Sequence, residues 1–125
     1  AAQALIAASG REDIGILVDA PHFWRAGESL AALSSLPAHH LNYMQLCDGA
    51  AQRPASEQDL IRQARSARNV PGEGGLDLHG LMSALPATLP VSLEVPLDGE
   101  QGALPPLQRA QLLFDAAQPY LHACA

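Results

Sequence analysis

Positive charge is scarce in this chain: seven arginine and lysine side chains stand against thirteen acids over 125 residues, a formal net charge of −6. A nucleic-acid surface needs a clustered basic face, so this balance argues against such a partner. Cysteine is as sparse. Cys47 and Cys124 make neither a disulfide framework nor a CxxC metal site; Cys47, inside an expected strand, reads as a small core residue. No apolar run approaches the roughly 20 residues that span a bilayer, and no charged-then-apolar signal segment opens the chain. A soluble, reducing, cytoplasmic setting with no membrane partner is the expectation. The chain opens on Ala1 rather than Met, inside a helix-like stretch, which suggests a fragment or a processed product.

What is present is apolar material, 48% of the residues, enough for a substantial core in at most one ordinary domain. The organising stretch is Gly15 to Trp24. Ile14 to Val18 is a short apolar run without polar alternation, the pattern of a strand buried on both faces in a parallel sheet. It stops at Asp19, Pro21 and His22. In helix-covered parallel sheets the functional groups lie just beyond the carboxyl ends of the strands, where Asp19 and His22 fall. The plainer alternative is that Asp19 caps the next turn and His22 is a loop histidine.

Before this stretch, Ala1 to Ser9 is an Ala-rich helix former with Gly10 as its stop. After it, Leu30 to Leu36 forms a short helix started near Ser29 and ended by Pro37, with His39 and His40 solvated in the following turn. Leu41 to Cys47 is the second strand; alternation puts Tyr43, Gln45 and Cys47 on one face and Asn42, Met44 and Leu46 on the other. A helix is expected over Glu57 to Ala67 behind Ser56. The Pro71 to Gly75 turn precedes another helix, opening at Leu76 to Leu78 and reaching Leu85. Val91 to Val95 is the third strand. Pro105 to about Cys124 is the last helix, with Pro119 expected to interrupt it. Strands alternating with helices, and no hairpin signal, give an α/β chain with a parallel sheet. Three strands cannot close a barrel, so this reads as the closing part of something larger.

Asp19, Gln45 and Glu94 each fall at or near the carboxyl end of a separate strand. On parallel neighbours, three oxygen donors converge above the sheet, a set suited to a hard divalent ion such as Mg²⁺ or Mn²⁺. The alternatives are a neighbour-bonded Gln45 and a strand-end salt bridge at Glu94.

The segments Leu17 to His22, Tyr43 to Asp48, Arg68 to Gly74 and Ser92 to Val95, in that order, resemble the last three βα units of the xylose-isomerase-like TIM barrels, the sugar phosphate isomerase/epimerase superfamily. The resemblance implies that residues 1–125 are one partial domain, the C-terminal portion of a (β/α)8 barrel whose N-terminal remainder lies elsewhere. It implies a divalent metal, Mn²⁺ or Mg²⁺, held by Asp19, Gln45 and Glu94, with a fourth ligand, a Glu, on a strand before Ala1. It implies that Glu94 and His22 are catalytic and that His22, Arg68 and Trp24 bind substrate. The implied activity is isomerisation or epimerisation of a sugar or sugar phosphate by proton transfer next to a carbonyl, through an enediolate. Gln45 stands where epimerases usually carry His, a choice met in dehydroshikimate-dehydratase-like members. A dehydratase (lyase) acting on dehydroshikimate or an inosose is therefore the alternative, and a non-catalytic half-barrel is the rival from another class. Whether the chain forms a homo-oligomer stays open.

Overall fold

The computed structural model describes residues 2–121; the expected helix start at Ala1, its counterpart end near Cys124, and Cys124 itself lie outside them. Three strands, β1 (Ile16–Asp19), β2 (Leu41–Leu46) and β3 (Val91–Leu93), form one sheet in the order β1-β2-β3. Both pairs are parallel, each joined by a helical crossover. Helix α1 (Ala2–Ser9) precedes β1. Between β1 and β2 lie α2 (Ala20–Arg25), α3 (Leu30–Ser34) and a 3-10 turn over Ala38–His40. Helices α4 (Glu57–Ser66) and α5 (Leu78–Ser83) join β2 to β3; α6 (Gly99–Gly102) and α7 (Pro106–Leu121) follow.

One face of the sheet makes the core. Met44 and Leu46 are fully enclosed with Val18, Leu78 and Leu81 of α5, and Ala117 of α7. Burial of a side chain of the Met44 or Leu46 kind contributes about 1.5–3 kcal/mol. On the opposite face Leu17 and Tyr43 stay 39% and 36% exposed, and this face carries Asp19 and Gln45 beyond them. The alternation expected along β2 is observed from Tyr43 to Leu46; before it, where the register with β1 shifts, Asn42 is exposed instead of sharing the core face with Met44, and Leu41 joins the core. Cys47 is fully buried in a second cluster with Val70, Val95 and Leu113, the small core residue it was expected to be.

Several boundaries differ from the sequence reading. Strand β1 starts at Ile16 rather than Ile14, which is 37% exposed, and it extends through Asp19. Strand β3 ends at Leu93, two residues short of the expected Val95. Helix α2 was not expected: Asp19 caps it, its side chain accepting from the His22 amide, and Pro21 sits in the first turn, where a missing N–H costs nothing. Helix α5 begins at Leu78, capped by Asp77. Pro119 does not interrupt α7, which continues to Leu121. Pro119 and Asp115 are both exposed, so water can replace the amide lost to the Asp115 carbonyl. His40 is only half solvated, with Nδ1 buried and unpartnered among the described residues. Among the described residues, no helix is long and apolar enough to cross a membrane.

The loop after β2 is tied down by Asp48. Its backbone pairs with Asn69 in an isolated antiparallel bridge, and its buried carboxylate accepts four backbone amides. Oδ1 takes those of Gly49 (2.8 Å) and Leu76 (3.1 Å); Oδ2 takes those of Gly72 (3.0 Å) and Gly74 (3.1 Å). Gly72 needs its positive φ of 90°, and a Cβ on Gly74 would collide with the Asp48 carboxylate. The acid thus folds the Pro-Gly-rich turn back over the carboxyl end of β2.

Candidate active site

Asp19, the last residue of β1, stands in register beside Gln45 of β2. Its carboxylate is buried. Oδ1 accepts from the His22 amide at 3.2 Å, and Oδ2 accepts from Nη1 of Arg68 at 2.7 Å. The capping role and the strand-end role thus belong to the same side chain. Arg68 is 6% exposed; its Nε donates to the carbonyl of Ala64 at 2.9 Å, and Nη1 also approaches Cys47 Sγ at 3.3 Å and the Glu94 carbonyl at 3.3 Å. Burial opposes the Arg68 charge, but the hydrogen bond to Asp19 and the neighbouring thiol outweigh it and raise its pKa. Burial pushes the Cys47 thiol up to about 12, against the opposing charge of Arg68.

Gln45, half-buried on the same face as Asp19, makes no side-chain hydrogen bond among the described residues. Glu94 follows β3 directly, its amide reaching the Leu46 carbonyl at 3.4 Å. Its carboxylate has no cationic partner among the described residues. His22 is exposed on α2. Asp19, His22, Gln45, Arg68 and Glu94 all line one cavity of about 570 Å³, with Leu17, Phe23, Leu33 and Leu36 as apolar walls. Trp24 is not brought to it. Its ring packs edge-on against Phe23 at 5.2 Å, and its buried Nε1 has no partner among the described residues.

Two carboxylates and an amide form an all-oxygen donor set, the kind a hard divalent ion takes. Among the described residues, no group of three or more His, Cys, Asp or Glu side chains could hold a metal ion, and Gln45 adds an amide oxygen to the two carboxylates on the cavity wall. Each Asp19 oxygen carries one hydrogen bond and keeps a lone pair, while Gln45 and Glu94 are uncommitted. The residues fit an ion in kind, as part of a coordination shell. Two participants escaped the sequence reading: Cys47 as a neighbour of Arg68, and Asp48 as the anchor of the overlying turn. The signal for Asp48 was an acid followed by Gly49 ahead of the Gly-rich 72–75 segment.

The same arrangement of strands recurs in solved structures. The IolI protein with a bound zinc atom matches with a TM-score of 0.70 and 20% identity, over 89% of this chain and 38% of that one. A xylose isomerase domain protein from Alicyclobacillus acidocaldarius matches with a TM-score of 0.66 and 24% identity, over 92% and 39%. The fold is that of part of a xylose isomerase-like TIM barrel. A fusion of such a barrel with a 4-hydroxyphenylpyruvate dioxygenase matches similarly, with a TM-score of 0.70 and 23% identity over 93% of this chain and 19% of that one. In a barrel of this kind, the face bearing Leu17, Tyr43, Asp19 and Gln45 is the interior, and the cavity lies at the carboxyl ends of the strands.

By sequence the chain is similar to two 3-dehydroshikimate dehydratases. That of Pseudomonas aeruginosa is 28% identical over 102 residues, 79% of this chain and 16% of the relative. That of Pseudomonas putida is 27% identical over 93 residues, 72% and 14%. The chain thus spans only a small part of the curated relatives that it matches. No family model matches it.

Proposed function

We propose that this chain forms the last three strands of a xylose isomerase-like barrel, one partial domain, in an enzyme that moves a proton next to the carbonyl of a small polyhydroxylated substrate. Asp19, Gln45 and Glu94 would hold a divalent metal, Mn²⁺ or Mg²⁺ being the ions such oxygen donors suit. When bound, the ion supplies Lewis acidity that makes the C–H beside the substrate carbonyl more acidic. Glu94, with no competing cation, is the base: its carboxylate takes the proton, the C–H electron pair becomes a C=C bond and the carbonyl π pair moves onto oxygen, giving an enediolate. His22 orients or protonates that oxygen, and Arg68 keeps positive charge beside it. Return of the proton to carbon completes an isomerisation or epimerisation; loss of a β-hydroxyl, leaving with a proton as water, completes a dehydration. Both curated relatives are dehydratases, and the third donor is Gln45, so dehydration is the second reading.

The observation that carries this reading is the convergence of Asp19, Gln45, Glu94, His22 and Arg68 on one cavity. The test is proton exchange. With Mn²⁺ or Mg²⁺ added, the natural polypeptide carrying this chain is expected to wash deuterium from solvent into the position next to the carbonyl of a ketose or dehydroshikimate, and a chelator is expected to stop it. Exchange that a chelator leaves untouched would count against the metal, and no exchange with any of these substrates would count against the chemistry.

A further inference from the structure

Beside the main cavity lies a groove of about 300 Å³ between α2 and α4, and three of its lining side chains are Arg25, Arg53 and Arg65. His22 lines both the groove and the main cavity. We propose that this groove seats an anionic group of the substrate, a carboxylate or a phosphate, while the carbonyl end lies over Asp19, Gln45 and Glu94; the inference rests on the proton-transfer reading and names its substrate class.

The ground is an imbalance of charge. All seven basic residues are arginines, against thirteen acids, so acids are in surplus. The three ion pairs among the described residues engage Arg11, Arg62 and Arg68. Of the four arginines that no acid meets there, three line this one groove, and no carboxylate does. Two of the three guanidiniums are held by neutral oxygens instead. Arg25 donates to the Ala50 carbonyl at 2.6 Å and to Oε1 of Gln63 at 2.8 Å, and Arg53 donates to the Arg25 carbonyl at 3.0 Å. Such bonds fix a guanidinium without cancelling its charge. Arg25 feels the cost, its pKa lowered by burial first and by the charge of Arg53 second. An incoming oxyanion relieves that repulsion, and the planar guanidinium fork suits carboxylate or phosphate. Pro21, Leu60 and Ile61 form the apolar part of its lining.

The test reads binding rather than turnover. Gluconate, inorganic phosphate and the neutral glucitol are titrated calorimetrically into the natural polypeptide carrying this chain and into its Arg53→Gln, Arg65→Gln and double variants. At least one anion is expected to bind more tightly than glucitol, to weaken with salt, and to lose about tenfold in affinity per arginine removed. Preference for gluconate identifies a sugar acid as the substrate class; preference for phosphate identifies a phosphorylated sugar. Arg65, with no hydrogen bond to lose among the described residues, keeps the test open if Arg53→Gln misfolds. Anion affinity unchanged in a folded Arg65→Gln or double variant, equal binding of anions and glucitol, or no anion binding overturns the groove. These outcomes are separable from failure of the proton-transfer reading, because Glu94→Gln leaves the groove arginines in place and deuterium wash-in does not depend on the anionic probes.

Discussion

Nη1 of Arg68 stands 2.7 Å from Oδ2 of Asp19, and both side chains are almost fully enclosed. The same nitrogen lies 3.3 Å from Cys47 Sγ and 3.3 Å from the Glu94 carbonyl. One cation therefore touches the carboxyl ends of all three strands. The resemblance implied an arginine reaching for substrate oxygens; here Arg68 lines the cavity, Nε and Nη1 bonded to the protein and Nη2 carrying no hydrogen bond among the described residues.

Breaking this pair from the arginine side leaves Asp19 buried without its cation. Arg68→Met is expected to destabilise the fold by about 3–5 kcal/mol, measured by urea unfolding of the natural polypeptide, with Arg68→Lys recovering part of the loss. A cost below about 1 kcal/mol would show that the pair does not hold the strand ends.

Asp48→Asn keeps the size of the side chain but replaces one acceptor oxygen with a donor. Two of the four amides from Gly49, Gly72, Gly74 and Leu76 then face an N–H₂ group. With a penalty of about 1–3 kcal/mol for each buried group left unpaired, the variant should unfold earlier and its 72–76 segment should exchange amide hydrogens faster. Unchanged protection there would contradict the anchoring role.

The Cys47 thiol, fully buried and pushed up to about 12, has almost no thiolate at pH 8. Iodoacetamide should leave it unmodified in the native protein and modify it once urea unfolds the chain, as peptide mass spectrometry would show. Rapid native-state labelling would mean that the pocket under Arg68 opens readily.

The parallel order of the strands was legible because helices separate every pair and no hairpin turn occurs. The alternation along β2 put Met44 and Leu46 on the core face and Tyr43 and Gln45 on the other, as the burial confirms. Helix α2 was not legible: six residues are too few for a periodic pattern, and its signals, the Asp19 cap and Pro21, also read as a strand end. The bond between Arg68 and Asp19 joins residues 49 apart, a distance over which local pattern carries no information. The gathering of Arg25, Arg53 and Arg65 is long-range for the same reason. Trp24 lay near the site in sequence, but its ring turns to Phe23 instead.

The central claim is that Glu94 is the base and Gln45 a neutral ligand beside it. Titrating Mn²⁺ or Mg²⁺ into Glu94→Gln and Gln45→Ala, with turnover followed on a panel of ketoses, inososes and dehydroshikimate, separates the two roles. Glu94→Gln should stay about 10²–10⁴-fold below the parent at saturating metal, since a lost base is not restored by an ion, whereas Gln45→Ala should recover part of its activity as metal rises. His22→Ala should lower turnover with metal affinity unchanged. Near-normal turnover of Glu94→Gln at saturating metal would contradict the assignment and move the proton to another group.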